Sequence, residues 1–251
     1  MANYISSMPV WAIVLFIASF LYSVTLIANP AKQAALNAGM PLNKARNIQF
    51  GIFGFYLLYL AYVSFLSLKG VFDDTSLPPK VMLWASIPLL IFLFGFIGNT
   101  KLYKKLLRSI QLESLITIHV FRLVGIFFII LYFYHLLPAK LAVSAEMGDV
   151  ITALLALPVA SMVAKRKPWW KTAVYAWNLF GILDIVNLLV IVGITAKAAA
   201  ASGIAHGDLE EMTRFPFVWF PAFAPATIFF LHAAVFRKLR QISNDSPLVS
   251  K

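Results

Sequence analysis

Apolar residues fall into seven long blocks, at about 9–28, 50–68, 81–98, 113–137, 149–164, 172–196 and 216–236. Each approaches the roughly 20 residues a helix needs to cross about 30 Å of hydrocarbon at 1.5 Å per residue. The pattern therefore predicts seven transmembrane helices. The fifth block is short, so either its helix begins before the apolar run or the bilayer thins around it. Residues 1–8 contain no Lys or Arg, which is not the start of a cleaved signal peptide, and the first block reads as a retained span.

Composition removes the alternatives. Of 251 residues, 61% are hydrophobic and 12% charged, and the mean hydropathy is +0.84. A soluble domain is nearer 45–50% apolar and about 25% charged. Soluble and disordered readings both fall. The absence of cysteine excludes disulfides, thiolate metal sites and cysteine nucleophiles.

The net charge of +11 is a topology signal. Lys32, Lys44 and Arg46 follow the first block; Lys101, Lys104, Lys105 and Arg108 follow the third; Lys165, Arg166, Lys167 and Lys171 follow the fifth; Arg237, Lys238, Arg240 and Lys251 end the chain. The alternate loops hold only Lys69, Lys80, Lys140, Lys197 and Arg214. By the positive-inside rule the N-terminus lies outside and the C-terminus in the cytoplasm. Asp73, Asp74, Glu146, Asp149, Asp208, Glu210 and Glu211 fall on the outer side. Nucleic-acid binding is not called for, and no aromatic-basic RNA motif is present. Trp11, Trp84 and Trp219 at outer ends, with Trp169 and Trp170 at an inner end, suit an interfacial belt.

Residues 101–111 (KLYKKLLRSIQ) set Leu102, Leu106 and Ile110 opposite Lys101, Lys104, Lys105 and Arg108. This reads equally as a basic helix on the inner leaflet or as a helical extension of the neighbouring spans. No internal repeat, low-complexity tract or long linker interrupts the chain, so a single all-α bundle is expected.

Two ionisable residues sit deep in apolar blocks. Arg122 and Asp184 both lie about 15–18 Å from the inner boundary at helical rise, where a charge costs at least about 2.5–3.5 kcal/mol. Opposite charges at one depth are expected to turn inward and pair, directly or through one polar residue or water. Projected at 100° per residue, Asn178, Gly181, Asp184 and Asn187 share one face of the sixth span. Ser114, His119, Arg122, Gly125 and Tyr132 share one face of the fourth. The two stripes are expected to line a common pocket, with Arg122, Asp184, His119, Asn178, Asn187 and Tyr132 as its ligand-binding residues. A pair that only fixes helix register explains the same pattern equally well.

The seventh block, FPFVWFPAFAPATIFFLH, contains Pro216, Pro221 and Pro225. Pro221 and Pro225 are each expected to remove a helical hydrogen bond, leaving carbonyls that need partners. An ordinary proline-kinked helix accounts for this, and so does a broken helix lining a site. His119 and His232, at similar depth, could ligate a b-type haem as a pair, although a hydrogen-bonded core histidine beside Arg122 is the simpler reading of His119. His206, with Asp208, Glu210 and Glu211, is a solvated loop or a cation contact. Tyr56, Tyr59 and Tyr62 could supply pocket hydroxyls or serve as core aromatics. Seven spans in this orientation resemble rhodopsins, but the seventh block has no Lys for a retinal Schiff base. No H-E-x-x-H, G-x-S-x-G or Walker loop occurs, which speaks against an enzyme.

Four stretches carry a resemblance: His119–Gly125 (HVFRLVG), Leu137–Asp149 (LPAKLAVSAEMGD), Trp177–Asn187 (WNLFGILDIVN) and the proline-rich block ending in His232. Together, over residues 119–236, they resemble an uncharacterised family of bacterial multi-pass membrane proteins. The resemblance implies a bacterial inner membrane and lends no catalytic or binding residue. The expected function is a carrier or sensor that binds a small solute or ion in the polar midplane pocket. A bis-histidine haem redox protein and a structural subunit of a larger membrane complex are the alternatives.

Overall fold

The computed structural model describes residues 4–73, 76–143, 146–202 and 207–245. Among them, seven helical segments are long and apolar enough to cross a membrane. They are α1 (Val10–Asn37), α2 (Leu42–Leu68), α3 (Met82–Asn99), α5 (Leu112–Phe133), α6 (Glu146–Ala164), α7 (Trp170–Ser202) and α8 (Trp219–Asp245). A short helix, α4 (Lys101–Ser109), lies between α3 and α5. The described residues form no sheet; Ile5 and Phe215 make an isolated parallel bridge.

The helices follow the apolar blocks but overrun them. α1 continues through Pro30 to Asn37, and α7 reaches Ser202. The fifth span does begin earlier than its apolar run: one helical turn at Ala139–Ala142 precedes α6, which starts at Glu146. Asp149 is thereby a helical residue inside the bundle rather than a loop acid, and it is fully buried.

Contacts between distant segments define two ends of the bundle. At the first, which carries the acidic loops, Phe215 bonds to Tyr4 and Ser6, and Ser67 donates to the Thr213 carbonyl at 2.8 Å. At the second, which carries the basic loops, Asn37 and Lys238 donate to the carbonyls of Ser109 and Arg108. α4 sits at this basic end as a helix in its own right. Thr100 turns extended, caps α4 by accepting from the Tyr103 amide at 3.1 Å, and so detaches it from α3; extended Ile110 detaches it from α5. Its apolar side packs inward through Leu107, while Lys101, Lys104, Lys105 and Arg108 are exposed.

α8 is the central helix. In its most apolar window 78% of residues are buried, against 22–33% for α1, α2, α3 and α7. Hydrocarbon gives helices no hydrophobic drive to associate, so close packing and hydrogen bonds must hold such a bundle. Phenylalanines supply the packing: Phe217 on Phe16 at 4.6 Å, Phe220 on Phe128 at 4.4 Å and Phe223 on Phe20 at 5.1 Å between centroids. Trp219 belongs to this core and donates to Ser64 at 2.8 Å, so it is not an interfacial residue. Trp11, Trp84 and Trp169 are exposed.

The prolines of α8 are handled locally. Pro216 precedes the helix, and Pro221 falls in its first turn, where an N–H has no helical partner anyway. Only Pro225 removes an interior bond, which frees the Pro221 carbonyl. The Ser86 hydroxyl of α3 donates to that carbonyl. Tyr59 of α2 donates to the next one, Ala222, at 2.8 Å. α8 thus runs as one braced helix through Pro225. The tyrosines of α2 are braces too: Tyr62 donates to the Trp84 carbonyl at 3.1 Å, and Tyr56 pairs with Thr227 at 3.4 Å.

This brace makes a coupled prediction. Ser86→Ala is expected to cost about 1–2 kcal/mol of unfolding free energy by orphaning the Pro221 carbonyl. On a Pro225→Ala background, which restores the helical N–H, the cost should fall below about 0.5 kcal/mol. Equal costs in both backgrounds, measured by denaturant unfolding in detergent, would show that Ser86 does not serve the proline.

Candidate functional site

The site is built around one guanidinium. The residues His119–Gly125 in the middle of α5 form a 3₁₀ stretch between two α-helical halves. Runs of 3₁₀ beyond three or four residues are uncommon, and side chains three apart eclipse in them. His119, Arg122 and Gly125 therefore stack along one line, and all three are buried.

Every nitrogen of the Arg122 guanidinium is engaged. Nε donates to Oδ1 of Asp149 on α6. Nη2 donates to Oδ2 of Asp184 on α7 at 2.6 Å. Nη1 lies 3.0 Å from Nε2 of His232 on α8 and 3.5 Å from the Gly181 carbonyl. Four helices are tied through one side chain that is 1% exposed. Arginine suits this task, because its planar fork presents donors in several directions and keeps its charge.

The hydrogen bonds assign the His232 tautomer. Arginine only donates, so Nε2 of His232 accepts. The ring proton is then on Nδ1, which lies 2.7 Å from Oδ1 of Asn178. Asn178 in turn donates through Nδ2 to the His232 carbonyl at 3.1 Å. This reciprocal pair fixes the imidazole as neutral and points its lone pair at the guanidinium.

Two glycines make room. A β-carbon on Gly181 would stand 2.5 Å from His232 Nε2 and 2.9 Å from Arg122 Nη1. A β-carbon on Gly148 would overlap the Asp184 carboxylate. Buried Ala153, Ala156 and Ala160 line α6, so its backbone approaches its neighbours closely. Trp177 closes the cluster, donating to the Thr152 carbonyl at 2.9 Å.

Of the residues expected at the site, Arg122, Asp184, Asn178 and His119 are brought together, and Arg122 and Asp184 do pair directly. His119 is a core residue but not a hydrogen-bonded one. Its ring lies 4.2 Å from His232 and edge-on to Trp177 at 5.0 Å, and neither ring nitrogen has a hydrogen-bond partner. Asn187 is exposed on α7, and Tyr132 is exposed beyond the 3₁₀ stretch. Ten residues on from Arg122, at these rises, Tyr132 stands about 16 Å farther along the axis of α5, past the cluster. Asp149 and Gly148 are the residues that sequence reasoning missed: a boundary drawn at 149 made Asp149 look like an outer-loop acid.

The geometry also bears on the haem reading. Two axial imidazoles must aim at one iron from opposite faces of a macrocycle. His119 and His232 pack ring to ring, with both nitrogens of His232 already engaged. The residues do not fit a haem between them. His206 lies outside the described residues. In the same loop Glu210 and Glu211 both pair with Arg214, the latter at 3.0 Å, while Oε2 of Glu211 is buried without a hydrogen-bond partner.

The fit around the two glycines is tested by alanine. Gly181→Ala and Gly148→Ala are each expected to lower unfolding free energy by about 1–3 kcal/mol through overpacking. Gly193→Ala, also on α7 but with nothing within 4 Å of its β-carbon, should be neutral or stabilising by about 0.5–1 kcal/mol. Thermal denaturation of the three variants decides, and uniform behaviour would contradict the packing described here.

The comparisons with known proteins add a family and no activity. A family model described as a domain of unknown function (DUF8737) matches residues 78–240. No curated protein and no solved structure matches the chain. The matched region holds α3 through nearly all of α8, and with them every member of the Arg122 cluster. Because the match covers well over half of the sequence, the chain belongs to the DUF8737 family.

Proposed function

We propose that the protein is a membrane carrier or sensor whose buried cluster binds one exchangeable proton. The observation that carries this reading is the sharing of one guanidinium by two carboxylates, Asp149 and Asp184, in the packed interior. With His232 neutral, the cluster holds one positive and two negative charges. A surplus of charge among these side chains is disfavoured in an apolar interior, and one bound proton lowers it. His119 packs its ring against His232 at 4.2 Å, and neither of its nitrogens has a hydrogen-bond partner.

A polar solute is less well supported, since the polar groups of the cluster are spent on one another. A larger ligand would have to break an ion pair, whereas a proton needs no room. The surrounding assignment is that of a bacterial inner-membrane protein with its N-terminus outside. It rests on the alternation of fifteen basic residues against five in successive loops and on the resemblance noted in the sequence.

The sign of the pH response follows from charge. The neutral cluster is the protonated one, so raising pH must release a proton and leave a net negative charge. Infrared difference spectra on alkaline titration are expected to show loss of one protonated-carboxyl band in the wild-type protein. Asp149→Asn and Asp184→Asn each balance the guanidinium with a single carboxylate, and neither should show the band. A wild-type protein without it, or Asn variants that retain it, would overturn the reading. In proteoliposomes, a carrier dissipates an imposed pH gradient and Asp184→Asn does not; a sensor leaves the gradient intact in both.

A further inference from the structure

A second feature lies apart from the charge cluster. At the basic end, α1, α2, α3, α4, α5 and α8 line an open-sided chamber of about 670 Å³. That is within the roughly 300–1,000 Å³ of ligand pockets and far larger than the voids a packed interior leaves. Its wall is overwhelmingly apolar. Phe55 stacked on Phe92, at 5.0 Å and 23°, closes it toward the middle of the bundle. The inward side of α4, through Leu106 and Leu107, forms its floor. Its lining includes exposed residues of α2 and α3. Gly51 lies on this wall, and a β-carbon there would meet nothing within 4 Å. Phe96 opposite is 62% exposed.

The rim has the opposite character. Lys101, Lys104, Lys105 and Arg108 stand exposed on the outer side of α4, and Lys44 and Arg46 at the start of α2. The Arg237 guanidinium lies 5.9 Å from the ring of Tyr103, itself a wall residue. Against these cations the same end of the sequence offers Glu113 and Asp245. An apolar, open-sided cavity on membrane-crossing helices, beside exposed cations, matches one chemistry: hydrocarbon chain inside, anionic headgroup outside. A polar metabolite would lose its hydration to an unanswering wall.

We propose that this chamber holds the acyl chain of an anionic phospholipid, drawn from the leaflet at the basic end, with its headgroup on the cations of α4, Arg46 and Arg237. The inference rests on the membrane placement of the seven helices and is independent of the proton reading. Occupancy would press on the wall formed by Ile118 and Leu231, the sequence neighbours of His119 and His232.

The test uses full-length protein in nanodiscs. The probes are a phosphatidylglycerol with a photoactivatable group on one acyl chain and a phosphatidylcholine carrying the same chain. Labelling of chamber peptides from α2 and α3 by the glycerol lipid should exceed that by the choline lipid at least about tenfold. Gly51→Phe, which fills open space, should lower it at least about tenfold with the melting temperature unchanged. Lys104→Gln/Lys105→Gln leaves the chamber intact and should weaken labelling about fivefold for each charge removed. Equal labelling by both lipids, persistence in Gly51→Phe, or insensitivity to the α4 charges would overturn the proposal. So would a cross-linked second copy of the chain seated at the opening. Should Gly51→Phe not fold, the α4 variant and the headgroup comparison still decide.

Discussion

A guanidinium that no water reaches must find all its partners in protein, and that single requirement organises the bundle. Arg122 takes one carboxylate from α6, one from α7, an imidazole from α8 and a carbonyl from α7. Each of those helices is fixed in rotation and depth relative to α5 by a directional bond. Removing one partner of a buried ion pair typically costs about 3–5 kcal/mol, because the survivor stays buried and unpaired. In hydrocarbon, where greasy surface gains nothing by meeting greasy surface, such bonds carry much of the specificity.

The backbone is shaped to serve this centre. Tightening α5 into a 3₁₀ stretch aligns His119, Arg122 and Gly125. Gly181 and Gly148 clear volume for the Arg122 and Asp184 side chains, and the alanines of α6 let its carboxylate approach. α8 brings His232 into the cluster, and Ser86 takes up the carbonyl that its Pro225 frees. Charge cluster and apolar chamber then share helices α5 and α8, with Ile118 beside His119 and Leu231 beside His232. A disturbance in the chamber is thus one residue removed from the imidazole pair.

Much of this was legible in the chain. Seven apolar blocks gave seven helices, because apolar length is a strong signal that tertiary context does not override. The Arg122–Asp184 pair followed from depth alone, since two expensive charges at one height have few better partners. The amide and glycine of α7 followed from uniform helical rotation, which α7 obeys through Asp184. What failed did so where a local rule met the third dimension. Tyr132 was placed by face alone, and it stands too far along α5 to reach the cluster. Asp149 was hidden by a helix boundary set where hydropathy, not hydrogen bonding, begins. Trp219 was read by its position at a block's end, while its packing beside Phe20 and Ser64 depends on contacts far off in sequence. The chamber has no sequence signature, because its walls come from six helices and its existence depends on what they leave unfilled.

The central claim is that one guanidinium bridges two carboxylates away from water and headgroups. Solid-state nuclear magnetic resonance in bilayers, with labelled arginine and aspartate, measures that contact directly. The account predicts through-space correlations from the Arg122 guanidinium nitrogens to the carboxyl carbons of both Asp149 and Asp184, and none to lipid phosphorus. A correlation to one carboxylate alone, or to phosphorus, would contradict it.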